Sequence, residues 1–313
     1  MARVAHTSKA TTTIKPSGKC QKEPHCMDLP PDIRASGPRI AMLPVLRLGN
    51  PPKFTSEHTD CVAVEEPLEI RLHGRPAAVL MRTPGGPAED RELILGFLFC
   101  EGVITLASQV LEIERLENVE TCQQVTAMTG TTVDVRLDSP SRGRGIERFF
   151  YSTSSCGACG KRSIDSLEVK GTGVGNGPMV TSGMLLQVLE DSRQQQALFT
   201  LTGGVHSSGL YTSAGARVEL REDVGRHNAL DKVIGARLIA DCIPLANHIL
   251  AISGRVGYEI IQKAAVAGIP LIVAVGAPTS LAVNLAAIHG ITLAGFARAG
   301  TMNVYTHPQR IAT

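Results

Sequence analysis

The spacing of apolar positions changes character twice along the chain. From Met1 to about Pro51 the residues are rich in Ser, Thr, Lys and Pro and hold no sustained period, so residues 1–51 read as a polar extension outside the fold. From Cys61 the pattern becomes strand-like. Cys61–Leu72 alternates in its second half, His73-Gly74 supplies a turn, and Pro76–Arg82 returns, which predicts a hairpin. Asp90 then precedes a helical spacing with Leu93, Ile94, Phe97 and Leu98 on one face. Further strands are expected near Gln124–Leu137 and Glu147–Tyr151.

Gly171–Gly177 reads as a connector, and Thr181 or Ser182 caps a helix running to about Gln196. Beyond it, short apolar runs alternate with helical spacings. Strands are expected at Phe199–Leu201, Arg217–Arg221, His248–Ile252, Leu271–Val275 and Ile291–Phe296. Helices are expected at Arg226–Ile239, from Gly257, and from Thr279 or Ser280. Such alternation implies an α/β layer with a largely parallel sheet in the second half, behind a first half that reads as α+β. Two subdomains follow on this reading, residues 52–170 and residues 171–313.

The length of 313 residues allows a sizeable core, and no apolar run reaches the ~20 residues of a membrane-spanning helix. Net charge is +2, which argues for neither nucleic acid nor membrane as a partner. Aromatics are 4% of the chain and Trp is absent, so a stacking platform for single strands is poorly supplied. Eight cysteines raise the question of disulfides. The N-terminus lacks the apolar core of a secretory signal, so the expectation is a reduced, cytoplasmic protein with Cys61, Cys100, Cys122 and Cys242 as small core residues. Cys20, His25 and Cys26 fall in the extension.

The sharpest local signal is Ser154-Ser155-Cys156-Gly157-Ala158-Cys159-Gly160-Lys161. The two thiols stand three positions apart, each followed by a glycine (Gly157 and Gly160), and Lys161 and Arg162 come next. Nearby cations lower a thiol's pKa, and the thiolate is the nucleophile. Four chemistries fit such a loop. A structural zinc site would need two further ligands, and no second CxxC exists. A thioredoxin-like pair would lead from a strand into a helix. The remaining two are an inert loop and a mobile sulfur relay, and residue chemistry alone leaves all four open.

A second constellation lies downstream. Thr202-Gly203-Gly204-Val205-His206-Ser207-Ser208-Gly209 reads as a small-residue loop whose amides could hold an anion. Glu222-Asp223-Val224-Gly225-Arg226-His227-Asn228-Ala229-Leu230-Asp231-Lys232 enters a helix with acidic residues at its positive end. His227 and Asp231 stand at i,i+4 and can meet on one face. Whether they form a surface pair or a cluster that moves protons is open, as is the role of His206. The turns Ser253-Gly254-Arg255 and Gly276-Ala277-Pro278-Thr279-Ser280 each lead from strand to helix, a setting suited to phosphate. The last stretch with such chemistry is Gly295–Tyr305, which includes Phe296, Ala297, Arg298, Ala299, Gly300 and Thr301.

In their order, these segments resemble the formate dehydrogenase accessory sulfurtransferase family, FdhD, from about Glu65 to Arg310. The likeness includes Glu65-Glu66-Pro67-Leu68, Pro84-Gly85 through Gly102, the Cys156–Gly160 loop, and the motifs just quoted. The resemblance implies a cytidine deaminase-like three-layer architecture with a mixed sheet. It implies a cytoplasmic sulfurtransferase in molybdenum cofactor biosynthesis, with Cys156 as persulfide carrier and Cys159 as its partner. Sulfur would come from a cysteine desulfurase and pass to the molybdenum bis(molybdopterin guanine dinucleotide) cofactor, a bound substrate destined for formate dehydrogenase as client. Phe296, Ala297, Arg298, Ala299, Gly300 and Thr301 match the segment that holds the cofactor's guanine dinucleotide, although Ala299 and Thr301 stand where more basic residues are expected. A homodimer is implied, and no permanently bound metal is expected. The rivals are a cofactor chaperone that moves no sulfur and a zinc-dependent deaminase-like hydrolase. The hydrolase lacks a His-x-Glu element here.

Overall fold

A computed structural model describes residues 39–48, 55–116, 130–142 and 174–312. The Cys156–Gly160 loop, the expected strand at Glu147–Tyr151, Cys122 and the cysteines and histidine of the extension lie outside them. The elements in chain order begin with β1 (Ile40–Leu48), β2 (Thr55–Ala63), β3 (Glu66–Leu72), β4 (Arg75–Arg82), α1 (Pro87–Cys100), β5 (Val110–Leu116) and β6 (Thr131–Leu137). They continue with β7 (Val180–Thr181), α2 (Ser182–Gln194), α3 (Ala197–Thr202), β8 (His206–Thr212), β9 (Arg217–Asp223), α4 (Arg226–Ile239) and β10 (His248–Ile252). The last are α5 (Tyr258–Ala267), β11 (Leu271–Ala274), α6 (Ser280–His289), β12 (Thr292–Arg298), β13 (Thr301–Thr306) and β14 (Ile311–Ala312).

The main sheet has six strands in the order β13-β12-β11-β10-β8-β9. Its centre, β10-β11-β12, is parallel, while β8, β9 and β13 run antiparallel to their neighbours. The sheet is therefore mixed, and less parallel than strand–helix alternation predicts. Alternation along the strands buries both faces. Tyr211, Ile249, Ala251, Leu271 and Val273 pack with Leu185, Val188 and Leu189 of α2. Leu210, Leu250, Ile252, Ile272 and Ala274 face the other way, towards Leu230 and Ile234 of α4 and Ile260 and Ile261 of α5. That gives helix, sheet and helix layers. Beyond α4 lies α1, and beyond α1 a second sheet in the order β4-β3-β6-β5. Its residues Leu68, Ile70, Val133 and Val135 belong to the same hydrophobic cluster as α4 and the main sheet, so one core spans both expected subdomains.

Several boundaries differ from the sequence reading for definable reasons. Ile40–Leu48, assigned to the polar extension, is β1, paired antiparallel with β2. Its apolar run was diluted by the Ser/Thr/Pro-rich stretch before it. Phe199–Leu201, read as a strand, lies inside α3. The carboxylate of Glu222 accepts from the amides of Leu198 and Phe199 at 2.9 and 2.8 Å, capping that helix from another element. The expected loop Thr202–Gly209 holds only a short turn before β8 begins at His206. Small residues conceal this strand. A side chain at Gly209 would collide with the Tyr211 ring, 2.8 Å from an ideal Cβ. The first helix starts at Pro87, with Pro in the first turn where a missing N–H costs nothing. Asp90, expected just before the helix, lies in its first turn as a buried partner of Arg82, at 2.9 Å.

Among the cysteines, Cys61 and Cys100 are buried as expected, while Cys242 is exposed just past α4, where Asp241 turns the chain at φ 55. Burial pushes the Cys100 thiol well above its ordinary pKa, which removes its thiolate. Alkylation of the native protein followed by peptide mapping should find Cys242 modified and Cys100 untouched.

Candidate functional site

The sequence motifs of the second half converge at the carboxyl ends of β10, β11 and β12, the edge where ligands bind in open α/β sheets. The turns after β10 and β11 press directly on each other. An ideal Cβ at Gly276 would lie 2.5 Å from the Gly254 carbonyl oxygen, so only glycine permits the contact. Val256 N donates to Ala277 O at 3.1 Å, Thr279 N to Val256 O at 3.0 Å, and Phe296 N to Gly276 O at 3.1 Å. The three strand ends thus form one ledge. β8 joins it from the opposite direction: Ser207 N donates to Ser253 Oγ at 2.8 Å.

On the α2 side of this ledge opens a pocket of about 880 Å³, within the range of small-molecule and cofactor sites. Leu186, Leu189 and Phe199 form an apolar wall, and Gly203–His206, Ser253 and Val275 the floor. Ala297, Arg298, Ala299 and Gly300 make the opposite lip. The lip is shaped by left-handed backbone at Phe296, Ala299 and Gly300, with φ of 51, 50 and 79. Of the segment expected at Phe296–Thr301, those four central residues line the pocket. Phe296 sits on the shoulder, exposed, and Thr301 opens β13 with its hydroxyl donating to Arg298 O.

The Glu222–Lys232 motif serves mainly to fix the entry of α4. Asp223 is fully buried. Its Oδ2 meets Lys232 Nζ at 2.8 Å and the Thr83 amide at 3.2 Å, and its Oδ1 accepts from Gly225 N at 2.8 Å and Asn228 Nδ2 at 3.0 Å. Asn228 also donates to Met81 O at 2.7 Å, and Val224 N to the Thr83 hydroxyl at 3.2 Å. Lys232 reaches Glu89 at 3.2 Å as well, and Arg39 binds the other oxygen of Glu89. Burial would raise the Glu89 pKa, but Lys232 and Arg39 outweigh it and hold the carboxyl below its ordinary value. The α4 N-terminus is thereby bolted to the turn after β4.

His227 and Asp231 do not meet. His227 Nε2 contacts Glu259 Oε2 at 2.7 Å, and Asp231 accepts from Lys263 Nζ at 2.7 and 2.8 Å. α4 and α5 lie side by side with these pairs as two successive rungs. Burial opposes the Lys263 charge, but Asp231 more than offsets it and raises the lysine pKa above its usual value. The sequence carried a signal for this: Glu259 and Lys263 repeat the i,i+4 spacing of His227 and Asp231 with complementary charge. The expected anion nest at Gly203-Gly204 is also spoken for. Gly203 N donates to Phe199 O at 2.7 Å and Gly204 N to the Thr202 hydroxyl at 3.2 Å, closing α3.

His206 is the side chain at which these motifs meet. It lines the pocket floor. Its imidazole lies over Gly254, where an ideal Cβ would be 3.2 Å from Nδ1. Burial lowers its pKa, Arg226 and His227 lower it further, and Asp223 opposes them only in part. Among the described residues, no group of three or more His, Cys, Asp or Glu side chains could hold a metal ion, and no helix is long and apolar enough to cross a membrane.

Compared with known proteins, the sequence profile of the FdhD/NarQ family matches residues 63–312. The chain belongs to the FdhD/NarQ family. Relatives named sulfur carrier protein FdhD include one from Mycobacterium tuberculosis, 44% identical over 256 residues, covering 80% of this chain and 92% of the relative. Another, from Saccharolobus solfataricus, is 38% identical over 279 residues and covers 88% of this chain and 99% of the relative. A crystal structure described as a formate dehydrogenase accessory protein from Desulfotalea psychrophila superposes with a TM-score of 0.66 at 26% identity, covering 88% of this chain and all of that one. In this FdhD/NarQ chain the matched span begins at the end of β2 and includes every element of the ledge and pocket.

Proposed function

We propose that this protein is a sulfur carrier serving formate dehydrogenase, and that it hands sulfur from a cysteine desulfurase to the molybdenum bis(molybdopterin guanine dinucleotide) cofactor, its bound substrate. The observation that carries the reading is the pocket at the ledge. Ala297–Gly300 borders a space of about 880 Å³ between apolar and polar walls, suited to the nucleotide end of such a substrate. Membership of a family whose relatives are named sulfur carriers supports the transfer itself.

The carrier is Cys156, in the segment Cys156-Gly157-Ala158-Cys159-Gly160 followed by Lys161 and Arg162. Its thiolate attacks the outer sulfur of the donor persulfide. A new S–S bond forms on Cys156, the donor's S–S bond breaks, and the electron pair leaves on the donor thiolate. At delivery the outer sulfur goes to the metal while the Cys159 thiolate bonds to the Cys156 sulfur. Oxidation of the two cysteines to that disulfide supplies the two electrons that convert the sulfane sulfur to sulfide, which leaves as the inner sulfur is attacked.

Intact mass after incubation with a cysteine desulfurase and cysteine tests the first step. The wild type should gain the mass of one sulfur atom, reversibly under reductant, and Cys156→Ala should gain none. An unchanged wild-type mass would overturn sulfur carriage and leave a cofactor chaperone as the better description.

A further inference from the structure

We propose that His206 is a phosphate contact of the pocket, and that the phosphate-bearing occupant binds together with a proton taken up on the His206 ring. This rests on reading the pocket as the seat of a dinucleotide, and adds the residue that senses its charge.

The geometry around the ring carries the argument. His206 is the first residue of β8 and lies on the pocket floor beside Ser253. Gly254 lies under the ring, so the imidazole is held against the ledge rather than turned out to solvent. Across the strand pair its partner is Asp223, but both oxygens of that carboxylate are committed to Lys232, Thr83, Gly225 and Asn228. From α4 the ring faces Arg226 and His227, and His227 itself contacts Glu259 at 2.7 Å. On the pocket's α2 wall Glu190 and Arg193 pair with each other at 3.2 Å, and Arg298 stands on the far lip. No other described residue hydrogen-bonds to the His206 ring, and the Arg226 guanidinium on α4 opposes a proton there. A proton on this ring is therefore unfavourable while the pocket is empty.

An incoming phosphate reverses the balance. It supplies the counter-charge that Asp223 cannot, and an opposite charge within a few ångströms favours the protonated ring. The sign follows by linkage. With the free ring titrating below the ordinary histidine range and the bound ring above it, affinity is flat and highest below the free pKa. It falls through the window between the two and is flat again above the bound pKa.

The test is calorimetric titration of the full chain with guanosine diphosphate between about pH 6 and pH 8, in buffers of different ionisation enthalpy. Wild type should take up a proton on binding, and its affinity should fall by up to roughly tenfold per pH unit inside the window. His206→Gln should lose both the uptake and that slope, leaving only the titration of the nucleotide's own phosphate, which is common to both proteins. The His206 contribution is the difference between the two proteins, and the thermal midpoint of His206→Gln checks that the variant is folded. Zero uptake in wild type, or the same slope and uptake in His206→Gln, would overturn the role of His206 while leaving the dinucleotide reading intact. Absence of binding by wild type at every pH would remove the dinucleotide reading and this inference with it.

Discussion

Replacing Gly235 with alanine should destabilise the protein by about 3 kcal/mol, the upper end for forcing atoms into a packed interior. Helix propensity gives the opposite sign, since Gly→Ala inside a helix ordinarily gains about 1 kcal/mol. The contact decides it. An ideal Cβ at Gly235 would sit 1.8 Å from the backbone oxygen of Glu92 on α1, and that atom cannot rotate away as a side-chain tip can. The same crossing is tight from the other side, where a Cβ at Gly96 would lie 1.9 Å from the Asp231 carbonyl oxygen. α1 and α4 therefore touch backbone to backbone, and a methyl group at either point must push two buried helices apart. Thermal unfolding of Gly235→Ala should show a midpoint lower by roughly 5 °C for a chain of this length. An unchanged or higher midpoint would mean that the helices can separate without loss.

That crossing also shows where sequence reading stopped. Helical spacing located α4 at Arg226–Ile239, the strand at His248–Ile252 is where the pattern places it, and of the two residues offered at each cap Thr181 and Thr279 are the ones used. Each of these signals is local: a repeat of apolar positions, or a hydroxyl before a helix. The glycines at 96 and 235 carry no such local signal, because their reason is a partner helix over a hundred positions away. α3 was read as a strand for the same cause, since its cap is Glu222 on β9. β8 was hidden because its central residues are small so that Tyr211 can fit, which erases the alternation.

The candidate site divides along the same line. Its segments were visible as runs of Gly, Ser and Arg between strand and helix, but their division of labour was not. His227 and Asp231 share a helix face, as their spacing indicates, yet each binds α5 instead of the other. Gly203 and Gly204, attractive as an anion nest, use their amides to end α3. His206 was visible as part of its motif, but as one histidine among small residues it came with no role attached. It becomes distinctive only when β8, α4 and the turn after β10 are brought together.

Asp223→Ala should cost about 3–5 kcal/mol, the loss typical when one partner of a buried ion pair is removed. Asp223 is fully buried and Lys232 nearly so, and without the carboxylate the ammonium keeps only Glu89 and two backbone oxygens, of Thr83 and Glu222. Three further donors lose an acceptor at the same time: the amides of Thr83 and Gly225 and the side chain of Asn228. A double-mutant cycle with Lys232→Met separates the two losses. If the ion pair dominates, removing both charges should cost less than the sum of the single changes by more than about 1 kcal/mol. If the costs simply add, Asp223 acts mainly as the acceptor for those amides and Asn228. Either way the consequence reaches the pocket, because this carboxylate fixes the start of α4 and with it Arg226 and His227 beside His206. Lys232→Met with Asp223 kept should disturb that geometry less, since Gly225 and Asn228 retain their acceptor. Guanosine diphosphate affinity should accordingly fall further in Asp223→Ala than in Lys232→Met, and equal affinities would show that the latch and the pocket are independent.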